Sequence, residues 1–83
     1  MTAARLLTRR QREVLLLAAN GNTAGHIAHW LGVSVHTVNE VLSRAYQALG
    51  VHDRAQAVAV ALKVGEFGLD DIHAPSAEQQ PAA

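Results

Sequence analysis

The sequence predicts an all-α fold, a four-helix domain with a disordered C-terminal tail, and three observations carry the prediction. Four segments each open on a side chain suited to capping a helix and each close on a glycine: Thr8 to Gly21, Thr23 to Gly32, Ser34 to Gly50 and Asp53 to Gly65. Between those limits apolar residues recur at helical spacing. The apolar content comes mainly from Ala, Val and Leu, with one Trp, one Tyr and one Phe, a composition suited to closely packed helices.

Thr8-Arg9-Arg10-Gln11 has the form of a capping box: the hydroxyl covers a free N–H of the first turn and the Gln reaches back to the cap. The first helix is placed from Arg9 to Asn20, with Val14, Leu15, Leu17 and Ala18 on its buried side. Arg9, Arg10 and Arg12 crowd its first turns, where the macrodipole disfavours cations. They read either as a solvated surface or as groups that need an anion nearby, such as a phosphate. Asn22-Thr23 opens a short second helix that buries Ile27, Ala28 and Leu31 and stops at Gly32. Trp30 reads as a partly buried packing residue of this helix rather than a stacking platform. Gly25, inside it, costs roughly 1 kcal/mol relative to Ala.

Gly32-Val33 then forms a tight turn into a third helix over about 35–49, capped by Ser34 and ended by Gly50. Val38, Val41, Leu42, Ala45 and Leu49 gather on one side of it at about 100° per residue, and that side is core. His36, Asn39, Glu40, Ser43, Arg44 and Gln47 fall on the opposite side, which is free for polar contacts. The second helix, the turn and the third helix make a helix-turn-helix pattern, a geometry in which the second of the pair can enter a DNA major groove while the first crosses the backbone.

Asp53 caps the fourth helix, where Ala57-Val58-Ala59-Val60-Ala61-Leu62 is apolar without a break until Lys63 and Gly65. A helix docked by one face alternates with polar residues. This one has apolar residues to spare, which points to a partner helix, most simply the same helix of a second copy, met through Ala57, Val60, Ala61 and Val64. Glu66 to Ile72 can add a short ordered extension through Phe67, Leu69 and Ile72, but beyond His73 no apolar periodicity remains. The domain is therefore set at residues 7–65, between a flexible N-terminus at 1–6 and an acidic, mostly disordered tail at 66–83.

At 83 residues the chain holds one domain, too small for a large catalytic cavity. Without cysteine it has neither a disulfide framework nor a thiolate metal site. No apolar run approaches the roughly 18 residues of a membrane span, and the N-terminus has no signal-peptide pattern. Net charge is zero, yet unevenly laid out. Arg5, Arg9, Arg10, Arg12, Arg44, Arg54 and Lys63 precede Gly65 against Glu13, Glu40 and Asp53, while Glu66, Asp70, Asp71 and Glu78 follow it. The helical part is basic and the end acidic, so the tail can compete with a polyanion for the basic face.

In detail the chain resembles the LuxR/GerE-type DNA-binding domain of bacterial transcription regulators. The matching residues are Leu7-Thr8, Arg10, Arg12-Glu13-Val14-Leu15, Gly21, Thr23, Ile27-Ala28, Leu31-Gly32-Val33-Ser34, Thr37-Val38, Leu49-Gly50-Val51 and Arg54 with Ala57-Val58, all at the family's spacing. The resemblance implies a four-helix domain whose third helix enters the major groove and whose fourth often mediates dimerisation. Where the family usually has Lys after Thr-Val and often His two further on, this chain has Asn39 and Val41. Ser43 replaces an occasional Lys, Glu40 adds a negative charge, and Thr23-Ala24-Gly25-His26 replaces Ser-Asn-x-Glu. Fewer cations mean a shallower salt dependence, by about 0.9 per lost phosphate contact. Base reading persists: Asn39 suits an adenine edge, Glu40 a cytosine amino group, and Arg44 a guanine or a phosphate.

The expected partner is double-stranded DNA, bound by Thr23, Ser34, Val35, His36, Thr37, Asn39, Glu40, Ser43, Arg44 and Gln47. A homodimer through the fourth helix and contacts with the transcription machinery are expected with it, in the cytoplasm at the nucleoid, with no membrane and no cofactor. His26, His29 and His36 read as surface histidines, not a zinc site, because no carboxylate or thiolate joins them. No Ser/His/Asp order, glycine-rich phosphate loop or carboxylate pair at useful helical spacing supports catalysis, and no enzyme is expected. Two other readings compete: a scaffold that pairs through its fourth helix and sequesters another regulator, and a promoter reader like region 4 of sigma factors. The Leu49-Gly50-Val51 to Ala57-Val58 segment argues against the latter.

Overall fold

The computed structural model describes residues 5–73. Its elements are α1 (Arg9–Ala19), α2 (Ala24–Leu31), α3 (Val35–Leu49) and α4 (Arg54–Val64), followed by one 3-10 turn at Leu69–Asp71. No strand occurs among the described residues. The expected residues set the helix limits. Gln11 N donates to Thr8 Oγ1 at 3.1 Å and Thr8 N to Gln11 Oε1 at 3.0 Å, the reciprocal pair of a capping box. The side chains of Thr23, Ser34 and Asp53 cap α2, α3 and α4, each accepting from the backbone N–H three residues on, without a reciprocal bond.

Gly32 is left-handed at φ 70°, which lets Val33 N turn back to the Ala28 carbonyl at 3.0 Å and ends α2. Three residues later α3 has begun, so the two helices are held in a fixed relation by a turn with little freedom. Gly50, at φ 72°, ends α3 with the equivalent Val51 to Tyr46 bond at 3.0 Å. An Ala at either position pays the left-handed strain of roughly 1–2 kcal/mol.

Leu15, Ile27, Val14 and Val38 are the largest fully buried side chains. Ala18, Ala45, Ala57 and Ala61, each at most 2% exposed, lie among them and let the helix axes approach closely. α3 is the hub, packed against α1, α2 and α4. Val41, Leu49 and Leu17, assigned to the core by spacing, are half-buried and line its edge.

Four expectations need correction. The fold does not stop at Gly65. Glu66 is 4% exposed and Phe67 6%, and the segment after α4 returns across α1. Glu66 Oε2 accepts from Leu6 N at 2.7 Å and Oε1 from Arg12 Nε at 3.3 Å, while the Arg5 guanidinium donates to the Glu66 carbonyl at 3.3 Å. Asn20 then clasps the end of the segment, donating to the Asp71 carbonyl at 3.0 Å and accepting from His73 N at 2.6 Å. The boundaries at 6/7 and 65/66 therefore cut through one packed unit. The remainder of the expected flexible ends, 1–4 and 74–83, lies outside the described residues.

Trp30 is 69% exposed rather than partly buried. At about 100° per residue it falls roughly a quarter-turn off the Ile27–Ala28–Leu31 face, and no other element among the described residues covers that flank. Leu69, expected to anchor the extension, is 76% exposed, and Phe67 and Ile72 do the packing. Ala57 and Ala61, expected to face a second copy, are 0% exposed inside the monomer. α4 has apolar residues on every side, so periodicity could not say which side the rest of the chain had already taken.

Candidate nucleic-acid interface

Core packing of α3 through Val38, Leu42 and Ala45 decides what the helix presents on its other side. His36, Asn39, Glu40, Ser43, Arg44 and Gln47 are all exposed, and so are Val35 and Thr37 in its first turn. His36, Glu40, Ser43 and Gln47 follow one another at steps of four, three and four residues and form the middle of the stripe, with Asn39 and Arg44 on its flanks. Glu40, Ser43, Arg44 and Gln47 share one shallow depression on the surface. α3 has 15 residues, about 22 Å at 1.5 Å per residue. A protruding helix of ordinary diameter matches a groove about 12 Å wide.

The first turn of α3 carries a second polar group. Ser34 Oγ accepts from Thr37 N at 3.0 Å and pairs with Thr37 Oγ1 at 3.0 Å. Two hydroxyls bring two protons and their mutual bond uses one, so one O–H remains to donate outward. At the start of α2, Thr23 Oγ1 accepts from His26 N at 3.1 Å and keeps its own proton for a further acceptor. Both hydroxyl sites sit at helix N-termini, where the dipole favours anions.

Charge on the stripe nearly cancels. Arg44 has no carboxylate within 4.0 Å among the described residues, and Glu40 Oε2 lies 3.4 Å from His36 Nε2. The arginines of α1 are differently placed. Arg12 is paired with Glu66 inside the fold, so the anion it needed is internal and the residue is withdrawn from any phosphate. Arg10 holds Glu13 at 2.9 Å on the surface.

All ten residues expected at the interface are therefore on the surface, and eight of them belong to one continuous helix. Of the four expected on a dimer face, Val64 is 48% exposed and Val60 half-buried. An open cleft lined by Arg9, Arg10, Glu13, Trp30 and Leu31 has no signature in the sequence. α1 and α2 meet there across some twenty positions of sequence, beyond the reach of any local pattern.

Two helices joined by a glycine turn, the second carried on a four-helix core with its polar side bare, define a helix-turn-helix domain. Residues 5–61 match the bacterial regulatory proteins of the luxR family, and the chain belongs to that family. It is 45% identical over 64 residues to the spore germination protein GerE of Bacillus subtilis, covering 77% of this chain and 86% of GerE. It is also 45% identical over 58 residues to the probable transcriptional regulatory protein SgaR of Hyphomicrobium methylovorum, covering 70% of this chain but only 28% of SgaR. Among solved structures, the transcription factor GerE superposes with a TM-score of 0.74 at 37% identity, over 81% of this chain and all of GerE. The Vibrio cholera VqmA–ligand–DNA complex superposes at 0.67 and 32% identity, over 78% of this chain and 28% of VqmA.

Proposed function

We propose that this chain regulates transcription by sequence-specific binding of double-stranded DNA, with α3 in the major groove and α2 crossing the backbone. The observation that carries this reading is the bare polar side of α3, capped at its N-terminus and fixed by the buried Val38, Leu42 and Ala45 behind it. The similar VqmA domain comes from a complex that contains DNA, which supports the same use here. Base edges are read from the stripe by Asn39, Glu40 and Arg44, and phosphates are held by Thr23, the Ser34–Thr37 hydroxyls and the N-terminal amides of α2 and α3. Because the stripe is nearly neutral, sequence reading contributes more to affinity here than bulk charge does.

The protein acts as a homodimer on half-sites about 34 Å apart. With Ala57 and Ala61 committed to the core, the pairing surface of α4 reduces to Val60 and Val64. Sedimentation of the free protein checks this: Val64→Glu shifts a dimer to monomer, and an unchanged sedimentation coefficient for a wild-type dimer moves the interface elsewhere.

Selection from a random duplex pool at low salt, followed by gel shift, tests the main reading. An enriched sequence bound more tightly than random duplex supports it. Indifference to every duplex in dilute buffer contradicts it and favours a scaffold that binds another regulator instead.

A further inference from the structure

Glu40 stands at the centre of the outward stripe of α3 and is the only anion among its six polar members. A carboxylate there repels phosphates. It also does little for the fold, since its partner is an exposed histidine one turn away and such pairs contribute little to a helix. Its side chain nevertheless takes a definite direction. Both His36 and Arg44 lie four residues from Glu40, on opposite sides along the helix. The carboxylate leans toward His36, with Oε2 3.4 Å from Nε2, and no pair with Arg44 forms within 4.0 Å among the described residues. It is thereby tilted toward the N-terminal end of α3, the end through which a recognition helix reaches base edges. Among the described residues Oε1 has no protein partner, and Arg44 is left for phosphate or guanine.

An ionised carboxylate accepts hydrogen bonds and donates none. In the major groove cytosine offers the N4 amino group with no acceptor on its own edge, adenine sets N7 beside its N6 amino group, and guanine offers only the acceptors O6 and N7. Thymine offers O4 and a methyl group. A bare carboxylate is therefore satisfied by cytosine and repelled by guanine. We infer that Glu40, with His36 beside it, is a specificity-determining residue that requires cytosine at one fixed position of the half-site and rejects guanine there. The inference rests on α3 lying in the major groove. His36 acts as a positioning residue, through Glu40 and not on the base.

The test combines random-pool selection with competition between selected duplexes carrying each of the four bases at the position in question. Wild type should prefer cytosine over guanine there by about 5- to 150-fold. Glu40→Ala should erase the preference at that position alone and tighten binding to random duplex a few-fold. His36→Ala should weaken the preference several-fold, His36→Gln should restore it through its amide N–H, and His36→Ala on top of Glu40→Ala should change nothing more. A purely structural His36 would leave the base preference untouched. A selected site with no cytosine requirement, or one whose cytosine preference survives Glu40→Ala, overturns the inference while DNA binding stands. Absence of duplex binding in every variant strikes instead at the major-groove reading itself.

Discussion

Glu66 and Glu40 carry the same carboxylate into opposite surroundings. Glu66 is 4% exposed and ties the end of α4 to the distant N-terminal stretch: it binds the Leu6 N–H, the Arg12 guanidinium and, through its carbonyl, Arg5. Glu40 is exposed on α3, and among the described residues only His36 brings a basic side chain within 4.0 Å of its carboxylate. The first is satisfied by the fold and has nothing left to offer. The second is exposed to solvent and free to accept from a donor outside the molecule. The contrast extends to the arginines, with Arg12 paired internally and Arg44 bare.

Substitution at Glu66 breaks the comparison most sharply. Glu66→Ala leaves a guanidinium and a backbone N–H without their acceptor, which costs about 3 kcal/mol, the low end for a broken buried pair because Arg12 keeps 21% of its side chain exposed. In a domain of this size that lowers Tm by about 12–24 °C. Glu40→Ala should move stability by less than about 0.5 kcal/mol in the same thermal scan. Equal losses in the two variants would erase the distinction between them.

Next in size are the reading residues. Asn39→Ala and Arg44→Ala should each weaken binding to a selected duplex by about 1 to 3 kcal/mol while leaving Tm unchanged. Binding isotherms beside thermal melts check both halves, and unchanged affinity in both variants removes these two residues from the interface. A smaller effect is expected at Gly25. A Cβ built there meets only Thr23 Oγ1, at the ordinary contact distance of 3.8 Å. Gly25→Ala should therefore stabilise the domain by about 0.5 to 1 kcal/mol, read as a rise of a few degrees in Tm. A fall would mean that α2 needs the glycine for a reason its packing does not reveal.

Much of this was legible from residues alone, wherever cause and effect lie within one turn. Thr8 with Gln11, Ser34 with Thr37 and Gly50 with Tyr46 fix where helices begin and end, and the spacing of Val38, Leu42 and Ala45 fixes which side of α3 is bare. What escaped depends on contacts far apart in sequence. Glu66 reads as the first acid of a tail because its partners, Leu6 and Arg12, lie 60 and 54 positions away. Trp30 reads as packing because nothing local shows that its flank of α2 stays uncovered. Ala57 and Ala61 read as spare because, on a helix apolar all round, only the neighbouring helices decide which line is buried.

The central claim is that the bare side of α3 is the surface that meets DNA. Titrating the isotopically labelled protein with a selected duplex and following its amide resonances by NMR tests it most directly. The largest shifts should fall on residues 34–47 and at Thr23, with α4 and the Glu66 strap little changed. Shifts concentrated on α4 or around Trp30, with Asn39, Glu40 and Arg44 silent, would contradict the account.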